Sequence, residues 1–428
     1  MIRKLLTSTA IASLIASAAI AETIAVSGGT IWTGTDDEPI ANGVVIIVDD
    51  EIAAIGDDTL AIPGNATLIE ADGRWITPGI FTPFSRVGLV EVGAEASTND
   101  ISADESDYST ALNAADAFNP SATSIPVTRL EGVTRMAVAP GNGNSLFAGQ
   151  GFIADTSGSP ASITEENTFQ FVTMGQGGAE HAGGSRTASW ASFQAALDDA
   201  RSFTARYITN PEGGALNRID AEAFAPAARG QQLILVSVHR ASDIRRLISF
   251  ADDNPTLDFA IIGATEGWLV ADELAAADIP VIIDPLDNLP ATFEALAATQ
   301  HNAERLISAG VKTAFTNLGD NGHQARLVLQ AAGNAVANGV NQADAIKAMT
   351  SVPADIYGRS DLGRLEAGAL ADLVIWDGDP LETTSAPTTV IIEGEIQPLE
   401  SRQTRLRDRY LDLADDGGDL PLAYRKGE

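Results

Sequence analysis

Short apolar segments separated by polar turns fill residues 23–77, and the same pattern returns towards the carboxyl end of the chain at residues 363–397. In both regions Val and Ile residues alternate or cluster between turns rich in Gly and Asp, as in GVVIIVDDEIAAIG. Such segments predict short strands joined by tight turns. Because strand-rich regions flank the middle of the chain, we expect the two to pack together as one small β-sandwich.

Continuous apolar strands alternate with amphipathic helical segments from about Pro78 to Gly358. Strands that lack polar alternation are typical of parallel sheets that are buried on both faces. Repeated β-α units over ~250 residues predict a (β/α)8 barrel, and therefore a fold of the α/β class. The clearest of these strands are TRMAVAP at 134–140, QLILVSVH at 232–239, FAIIGAT at 259–265, IPVIIDP at 279–285 and VKTAFTN at 311–317.

One glycine-containing segment inside this region, at residues 139–154, directly follows a predicted strand. Its sequence, APGNGNSLFAGQGFIA, lacks the glycine spacing and the lysine of a phosphate-binding loop. We interpret the segment as the loop that follows the second barrel strand.

The first 21 residues have the three parts of a secretory signal peptide. Arg3 and Lys4 give a charged start, an apolar stretch follows, and Ala19-Ile20-Ala21 forms a small-x-small cleavage site. The alternative is an N-terminal membrane anchor, but no other run approaches the ~20 apolar residues of a spanning helix. We expect a periplasmic or secreted protein with a signal peptide at 1–21, sandwich segments at 22–77 and 361–400, a barrel at 78–360 and a tail at 401–428.

The chain is strongly acidic and contains no cysteine. Of its 26 basic side chains, Arg3 and Lys4 lie in the predicted signal peptide, which leaves 24 against 58 acidic ones, a net charge of −34. A field of this sign repels nucleic acid and anionic lipid, so neither is an expected partner. Without disulfides, an exported chain must be held together by its hydrophobic core alone.

Both strand-rich ends resemble the corresponding parts of amidohydrolase-superfamily proteins. GGTIWTG, GVVIIVDDEIAAIG and IEADGRWITPGI are similar to the start of these proteins, and GRLEAGALADLVIWDGDPLE is similar to their end. TSVPADIYG at 350–358 resembles the helix and Pro-Ala turn that precede this end. The resemblance covers nearly the whole chain after residue 21 and is closest in style to the exported, imidazolonepropionase-like branch. It implies a metal-dependent hydrolase of C–N bonds in amides, ureas, imides and cyclic amidines.

The resemblance also implies metal ligands at the carboxyl ends of the barrel strands. A His-x-His motif follows strand one, often a carboxylated Lys or a Glu follows strand four, a His follows each of strands five and six, and an Asp follows strand eight. Such ligands hold one or two divalent ions, which lower the pKa of a bound water to about 7 and polarise the carbonyl. In this sequence the positions fall on other residues: Phe84, Ser85 and Arg86 for the His-x-His motif, Ser237 for strand five, Gly263 for strand six and Asn317 for strand eight.

These replacements remove the chemistry that the family motif supplies. A phenyl ring cannot bind zinc, and Arg86 brings a fixed positive charge to a metal position. Lys312, Lys347 and Lys426 are the lysines after the signal peptide, and none lies late in a middle strand. We therefore predict a barrel without the standard metal centre and without a cofactor. The alternative is a rearranged site for zinc or another divalent metal, formed by Asp320, His323, His239 and Glu266.

Three arginines follow barrel strands or open a helix on one face of the predicted barrel: Arg86, Arg186 and Arg240. Arginine binds anions through a bidentate fork, and helix N-termini present free N–H groups to the same ligands. The arrangement suggests a pocket for a ligand that carries a carboxylate or a phosphate. The alternative is that each arginine pairs with a nearby acid such as Glu91, Asp243 or Glu266, as a structural ion pair.

Two functions remain open at this point. The first is a non-catalytic amidohydrolase homologue, either a binding protein for a small molecule or a homo- or hetero-oligomeric partner of an active relative. The second is a hydrolase of carbon–nitrogen bonds that uses a non-standard site, with Asp320, His323 and Glu266 as its catalytic candidates. The residues expected to contact a ligand are Arg86, Arg186, His239, Arg240 and Asn317.

Overall fold

The computed structural model describes residues 22–209, 213–319 and 322–415. The predicted signal peptide at 1–21 and the candidate residue Asp320 lie outside these ranges. Across the described ranges, each helix is too short or too polar to cross a membrane.

The strands of the described residues form two sheets of eight strands each. In chain order they are β1 Thr23–Ile31, β2 Ile40–Val48, β3 Glu51–Gly56, β4 Thr67–Glu70, β5 Trp75–Pro78, β6 Ile80–Ser85, β7 Val133–Val138, β8 Phe147–Asp155, β9 Ile163–Thr173, β10 Leu233–Val238, β11 Phe259–Gly263, β12 Val281–Ile283, β13 Thr313–Phe315, β14 Leu373–Trp376, β15 Pro387–Ile392 and β16 Glu395–Ile396.

Most of the helices connect strands of the second of these sheets. In chain order they are α1 Ser124–Arg129, α2 Gly175–His181, α3 Arg186–Arg201, α4 Phe203–Thr209, α5 Arg218–Ala228, α6 Ala241–Asp253, α7 Ala271–Ala276, α8 Asn302–Ser308, α9 Val328–Ala337, α10 Gln342–Met349, α11 Ser351–Ile356 and α12 Arg402–Asp415.

The first sheet is built from both ends of the chain, with the order β16-β15-β14-β5-β1-β2-β3. Strand β4 pairs with the start of β1 and β5 with its end, so the sheet divides along that strand. Its apolar side chains, among them Ile24, Ile47, Ile76 and Leu373, form a buried core of their own. The predicted union of the two strand-rich ends is therefore observed.

The second sheet is a barrel that is nearly closed, with the order β6-β7-β8-β9-β10-β11-β12-β13. Thr316, directly after β13, donates a hydrogen bond from Oγ1 to the carbonyl oxygen of Phe84 in β6 at 3.1 Å, which joins the two edges. The predicted α/β fold with a barrel and a second strand-rich unit is confirmed. The order of the sheet also confirms the strand numbering by which ligand positions were assigned.

Strand β8 corrects one prediction, since it occupies the second half of the segment interpreted as a loop. It runs antiparallel to both β7 and β9, whereas the other neighbouring pairs of the barrel are parallel. Its glycines have a packing role: a Cβ built on Gly151 would lie 2.0 Å from Cζ of Phe169 in β9. Glycine here makes room for a neighbouring ring and does not mark a loop.

Aromatic side chains fill much of the barrel interior. Phe81 and Phe169 flank Tyr357, with ring centroids 5.9 and 5.3 Å away. The Tyr357 hydroxyl donates to the carbonyl of Pro83 at 2.5 Å, and burial raises the pKa of this phenol above its ordinary value. The interior is thus a packed core, and any functional site lies where the strands end.

Candidate functional site

The carboxyl ends of the parallel strands open on one side of the barrel, which we call the barrel mouth. This surface is formed by the residues that end or follow β6 and β9 to β13. All family ligand positions named above belong to it, because each follows one of these strands. Their side chains decide what the mouth can bind.

Two phenyl rings close the centre of the barrel mouth. Phe84, at the end of β6, lies 5.2 Å from Phe171 of β9 between ring centroids, at an interplanar angle of 62°. The two residues are only 3 % and 5 % exposed. The edge-to-face contact and the burial make this pair part of the core. At the first ligand position, the mouth therefore presents hydrocarbon in place of an imidazole.

Arg86 lies above this pair, with its guanidinium carbon 5.4 Å from the centroid of Phe84. Its Nε is buried and has no hydrogen-bond partner, although the residue as a whole keeps part of its surface accessible. Burial lowers the pKa of Arg86 to about 10. Glu91, an acid expected as a possible partner, instead accepts a hydrogen bond from Nδ2 of Asn119 at 2.6 Å.

Arg186 opens helix α3, where Ser185 caps the first turn by accepting from the amide of Thr187. Its guanidinium donates to Asp243 at 2.8 Å and to Glu294 at 3.0 Å. Partial burial lowers the pKa of Arg186, but the hydrogen bond and charge of Asp243 outweigh this and raise it. Arg186 is therefore the centre of a structural ion-pair cluster in which its charge already has two acidic partners.

A chain of three polar side chains runs across the ends of β10, β11 and β12. Nδ1 of His239 lies 2.8 Å from Oγ1 of Thr265, and this hydroxyl donates to Oδ2 of Asp287 at 2.8 Å. Since the hydroxyl proton goes to Asp287, Thr265 accepts from Nδ1–H, and Nε2 of His239 is left as the free acceptor nitrogen. Such a chain fixes both the tautomer and the orientation of the imidazole.

The same imidazole explains why the strand-six position is glycine. A Cβ built on Gly263 would come within 2.5 Å of Cε1 of His239. Gly263 also has a φ of 101°, a conformation that favours glycine. The ring of His239 therefore occupies the space that a side chain at position 263 would need.

The other candidates lie at the mouth but are engaged with the backbone or the solvent. Glu266 is buried and accepts from the amides of Ala241 and Ala297 at 3.0 and 3.2 Å. Asn317 is buried and accepts from the amide of Gly319 at 3.2 Å. The positions not yet placed are Ser237, half-buried at the end of β10, and Arg240 and His323, which are exposed.

Two acids after β12 belong to the mouth but were missed in the sequence. Besides Asp287, Asp284 accepts from the amides of Leu286 and Leu318, both at 2.9 Å. Burial raises the pKa of Asp284, although these amide hydrogen bonds act against the shift. The signal was present in IPVIIDP, because Asp284 directly follows an apolar strand, as the other mouth residues do.

The donors that are present do not fit the metal that the family resemblance implies. Phe84 and Gly263 offer no lone pair, and the oxygens of Glu266 are held by two backbone amides. Within residues 22–209, 213–319 and 322–415, no group of three or more His, Cys, Asp or Glu side chains is arranged to hold a metal ion.

A cleft beside the mouth offers space for a small molecule. Its volume is about 430 Å³, and it lies between the 144–147 segment, helix α3 and residues 214–216. The polar side chains of its lining are those of Ser109, Asn144, Ser145, His181 and Ser192.

Comparisons with known proteins find that the chain is similar to amidohydrolases. Residues 250–397 match the sequence profile of the amidohydrolase family. The chain is 23 % identical over 404 residues to amidohydrolase tasK of Hapsidospora irregularis; the match covers 86 % of this chain but only 40 % of that relative. An amidohydrolase from Thermotoga maritima MSB8 has a similar solved structure, with a TM-score of 0.76, 22 % identity, and coverage of 87 % of this chain and 99 % of that one. A structure of molinate hydrolase is also similar, with a TM-score of 0.55, 18 % identity, and coverage of 89 % and 95 %.

Proposed function

We propose that the chain, whose residues 250–397 match the amidohydrolase family, is a non-catalytic member of that family whose barrel mouth binds a small molecule. The observation that carries the proposal is the buried pair of Phe84 and Phe171 at the place of the first metal ligands. Two phenyl rings exclude water from the point where the family reaction needs an activated water.

The remaining mouth residues support the same proposal. Metal-dependent hydrolysis of an amide, the reaction that the family resemblance implies, needs a nucleophilic water, a base to deprotonate it and a cation to polarise the carbonyl. Glu266 is held by backbone amides and Gly263 has no side chain, so neither fills such a role. The guanidinium of Arg86 carries a positive charge but releases no proton near neutral pH.

We further propose that the protein is exported. It acts in one of three ways: alone, as a homo-oligomer, or as the partner of an active relative. The composition of residues 1–21 supports export, and the net charge supports a partner that is neither nucleic acid nor anionic membrane. Analysis of the amino terminus of the secreted protein and size-exclusion chromatography with light scattering test these two points.

Metal analysis together with hydrolysis assays tests the main proposal. The purified chain is analysed for zinc, manganese and iron, and then incubated with N-acyl amino acids and small cyclic amides in the presence of each metal. We expect metal far below one equivalent and no hydrolysis above that of a heat-inactivated sample. One tightly bound equivalent of metal, or hydrolysis that needs added metal, would contradict the proposal.

The hydrogen-bonded side chains of His239, Thr265 and Asp287 favour a second function, a carbon–nitrogen hydrolase with a non-standard site. The free Nε2 of His239 has the chemistry of a general base, and Thr265 and Asp287 hold the imidazole in position. If hydrolysis occurs without added metal, this function requires that His239→Gln abolishes it and that Thr265→Val reduces it. Activity that is unchanged in both variants would exclude it.

A further inference from the structure

Arg86 is half-buried and, unlike the buried Arg129 and Arg135, has no hydrogen-bond acceptor for its guanidinium among the described residues. Arg135 donates to Asp372 and Glu393, and Arg129 donates to two backbone carbonyls. Among the residues that the structure describes, Arg86 makes neither a hydrogen bond nor an ion pair, and its Nε is shielded from water. The guanidinium lies over the ring of Phe84, and a Cβ built on Gly141 would lie near both Nη1 of Arg86 and Cγ2 of Ile101, at 2.4 and 2.7 Å.

An unpaired cation in such surroundings destabilises the folded protein. A buried charge requires an opposite charge and hydrogen bonds to offset its lost hydration. Although burial lowers the pKa of Arg86 to about 10, the group stays protonated at neutral pH. The site is therefore one negative charge short of balance.

The surroundings also restrict the kind of anion that can supply this charge. Arg186, another arginine of this face, already has two acidic partners, Asp243 and Glu294. A single charge is thus missing, which favours a monoanion over a phosphate dianion. The ring of Phe84 and the side chain of Ile101 favour an apolar body, and the guanidinium fork matches the two oxygens of a carboxylate.

We propose that Arg86 anchors the carboxylate of a small monoanionic ligand with an apolar body at the barrel mouth. The inference rests on the proposed binding function and names its ligand class. The carboxylate accepts from the guanidinium, while the apolar part of the ligand lies against hydrocarbon at the rim of the mouth.

Isothermal titration and thermal unfolding of the full chain, at constant ionic strength, test this site with three probes. Benzoate has the charge and the apolar body, benzamide has the same shape without the charge, and inorganic phosphate has charge without the body. We expect benzoate to bind and to raise the Tm, and benzamide and phosphate to bind at least about tenfold more weakly, since charged hydrogen bonds and apolar contact are both required.

Variants of two arginines locate the site. Arg86→Met is expected to weaken benzoate binding at least about tenfold, and Arg86→Lys, which keeps the charge but loses the fork, to weaken it less. Arg409→Met is the matched control, because Arg409 is an exposed arginine of helix α12, and it should bind benzoate like the wild type. Circular dichroism confirms that each variant is folded.

Three results would overturn the site. Equal binding of benzoate and benzamide, or equal binding by the wild type and Arg86→Met, removes the role of the guanidinium. Binding that persists in Arg86→Met but is lost in Ser192→Trp places the ligand in the cleft beside the mouth. The proposed non-catalytic function is tested separately, since bound metal or hydrolysis would contradict it. If the protein contains no metal and does not bind benzoate, only the anion site is disproved.

Discussion

The imidazole of His239 lies directly over the Cα of Gly263, so that a Cβ at position 263 would meet Cε1 of the ring at 2.5 Å. Gly263 ends strand β11 and pairs with Val238 of strand β10, and His239 directly follows Val238. The loss of a side chain at one position is therefore tied to the presence of a ring at the other.

Gly263→Ala tests this relationship. We expect it to lower the free energy of unfolding by about 2–6 kcal/mol, because the φ of 101° costs about 1–3 kcal/mol and the contact of the new methyl group with the ring adds about 1–3 kcal/mol. In a His239→Ala background the cost should fall to the part that comes from φ alone, about 1–3 kcal/mol. Urea denaturation of the four proteins gives the coupling energy, and strictly additive costs would show that the ring does not constrain position 263.

The pair of Phe84 and Phe171 predicts a second coupling. Each single change to alanine should cost about 3–5 kcal/mol, because a buried ring is lost and a cavity remains. The double variant should cost less than the sum by about 0.5–1.5 kcal/mol, the contribution of one edge-to-face contact. Phe293→Ala is the control, since this ring is 85 % exposed and its removal should change stability by less than about 0.5 kcal/mol.

Much of the fold could be predicted because burial on both faces leaves a local pattern. QLILVSVH at 232–239 became β10 at Leu233–Val238 for this reason. Strand β8 could not be recognised in the same way, since a glycine such as Gly151 is required by the ring of Phe169 on another strand. A constraint that comes from a neighbouring strand leaves no periodicity in the segment that carries it.

The same distinction between local and distant constraints applies to the candidate site. The residues at the ligand positions could be named from the resemblance, because strand ends and family motifs are local in sequence. Their partners could not, since Phe171 covers Phe84 from a strand that was not predicted, and Glu294 reaches Arg186 across 108 residues. Asp243, by contrast, was an expected partner of an arginine, because an acid in the first turn of a helix near the mouth is visible in the sequence.

The unpaired guanidinium of Arg86 predicts an unusual gain of stability on mutation. Without ligand, Arg86→Met should raise the free energy of unfolding by about 1–3 kcal/mol, because it removes an unpaired buried cation and keeps the alkyl packing. Arg240→Met, in contrast, should change it by less than about 0.5 kcal/mol. Urea denaturation at pH 7 measures both, and a loss of stability in Arg86→Met would show that the arginine has a stabilising partner.

The pH dependence of this gain follows from the pKa of about 10 that burial gives to Arg86. Between this value and the higher pKa of the unfolded chain, the unfolded state holds a proton that the folded state has released. Wild-type stability therefore rises with pH in that window, and that of Arg86→Met does not change through this group. The difference between the two proteins should be constant from pH 7 to 9 and should shrink above pH 10, as measured by urea denaturation across that range.

The contact between the two sheets supplies the last prediction. Arg135 of barrel strand β7 donates to Asp372, just before β14, at 2.6 and 3.1 Å, and both side chains are almost fully buried. Burial lowers the pKa of Arg135, but the charges and hydrogen bonds of Asp372 and Glu393 together outweigh it and raise the value. Asp372→Ala should therefore cost about 3–5 kcal/mol, since it leaves a buried cation without its main partner.

A variant in which both partners are replaced distinguishes the effect of the ion pair on stability from the effect of burying a charge. Arg135→Met combined with Asp372→Leu should cost clearly less than the sum of the single changes, because no unpaired charge remains inside the protein. Lys312→Met is the control: its pair with Asp278 at 3.1 Å is exposed, so the change should cost no more than about 1 kcal/mol. If the double variant were as unstable as the sum of the single ones, the attraction between Arg135 and Asp372 would not be what holds the barrel to the second sheet.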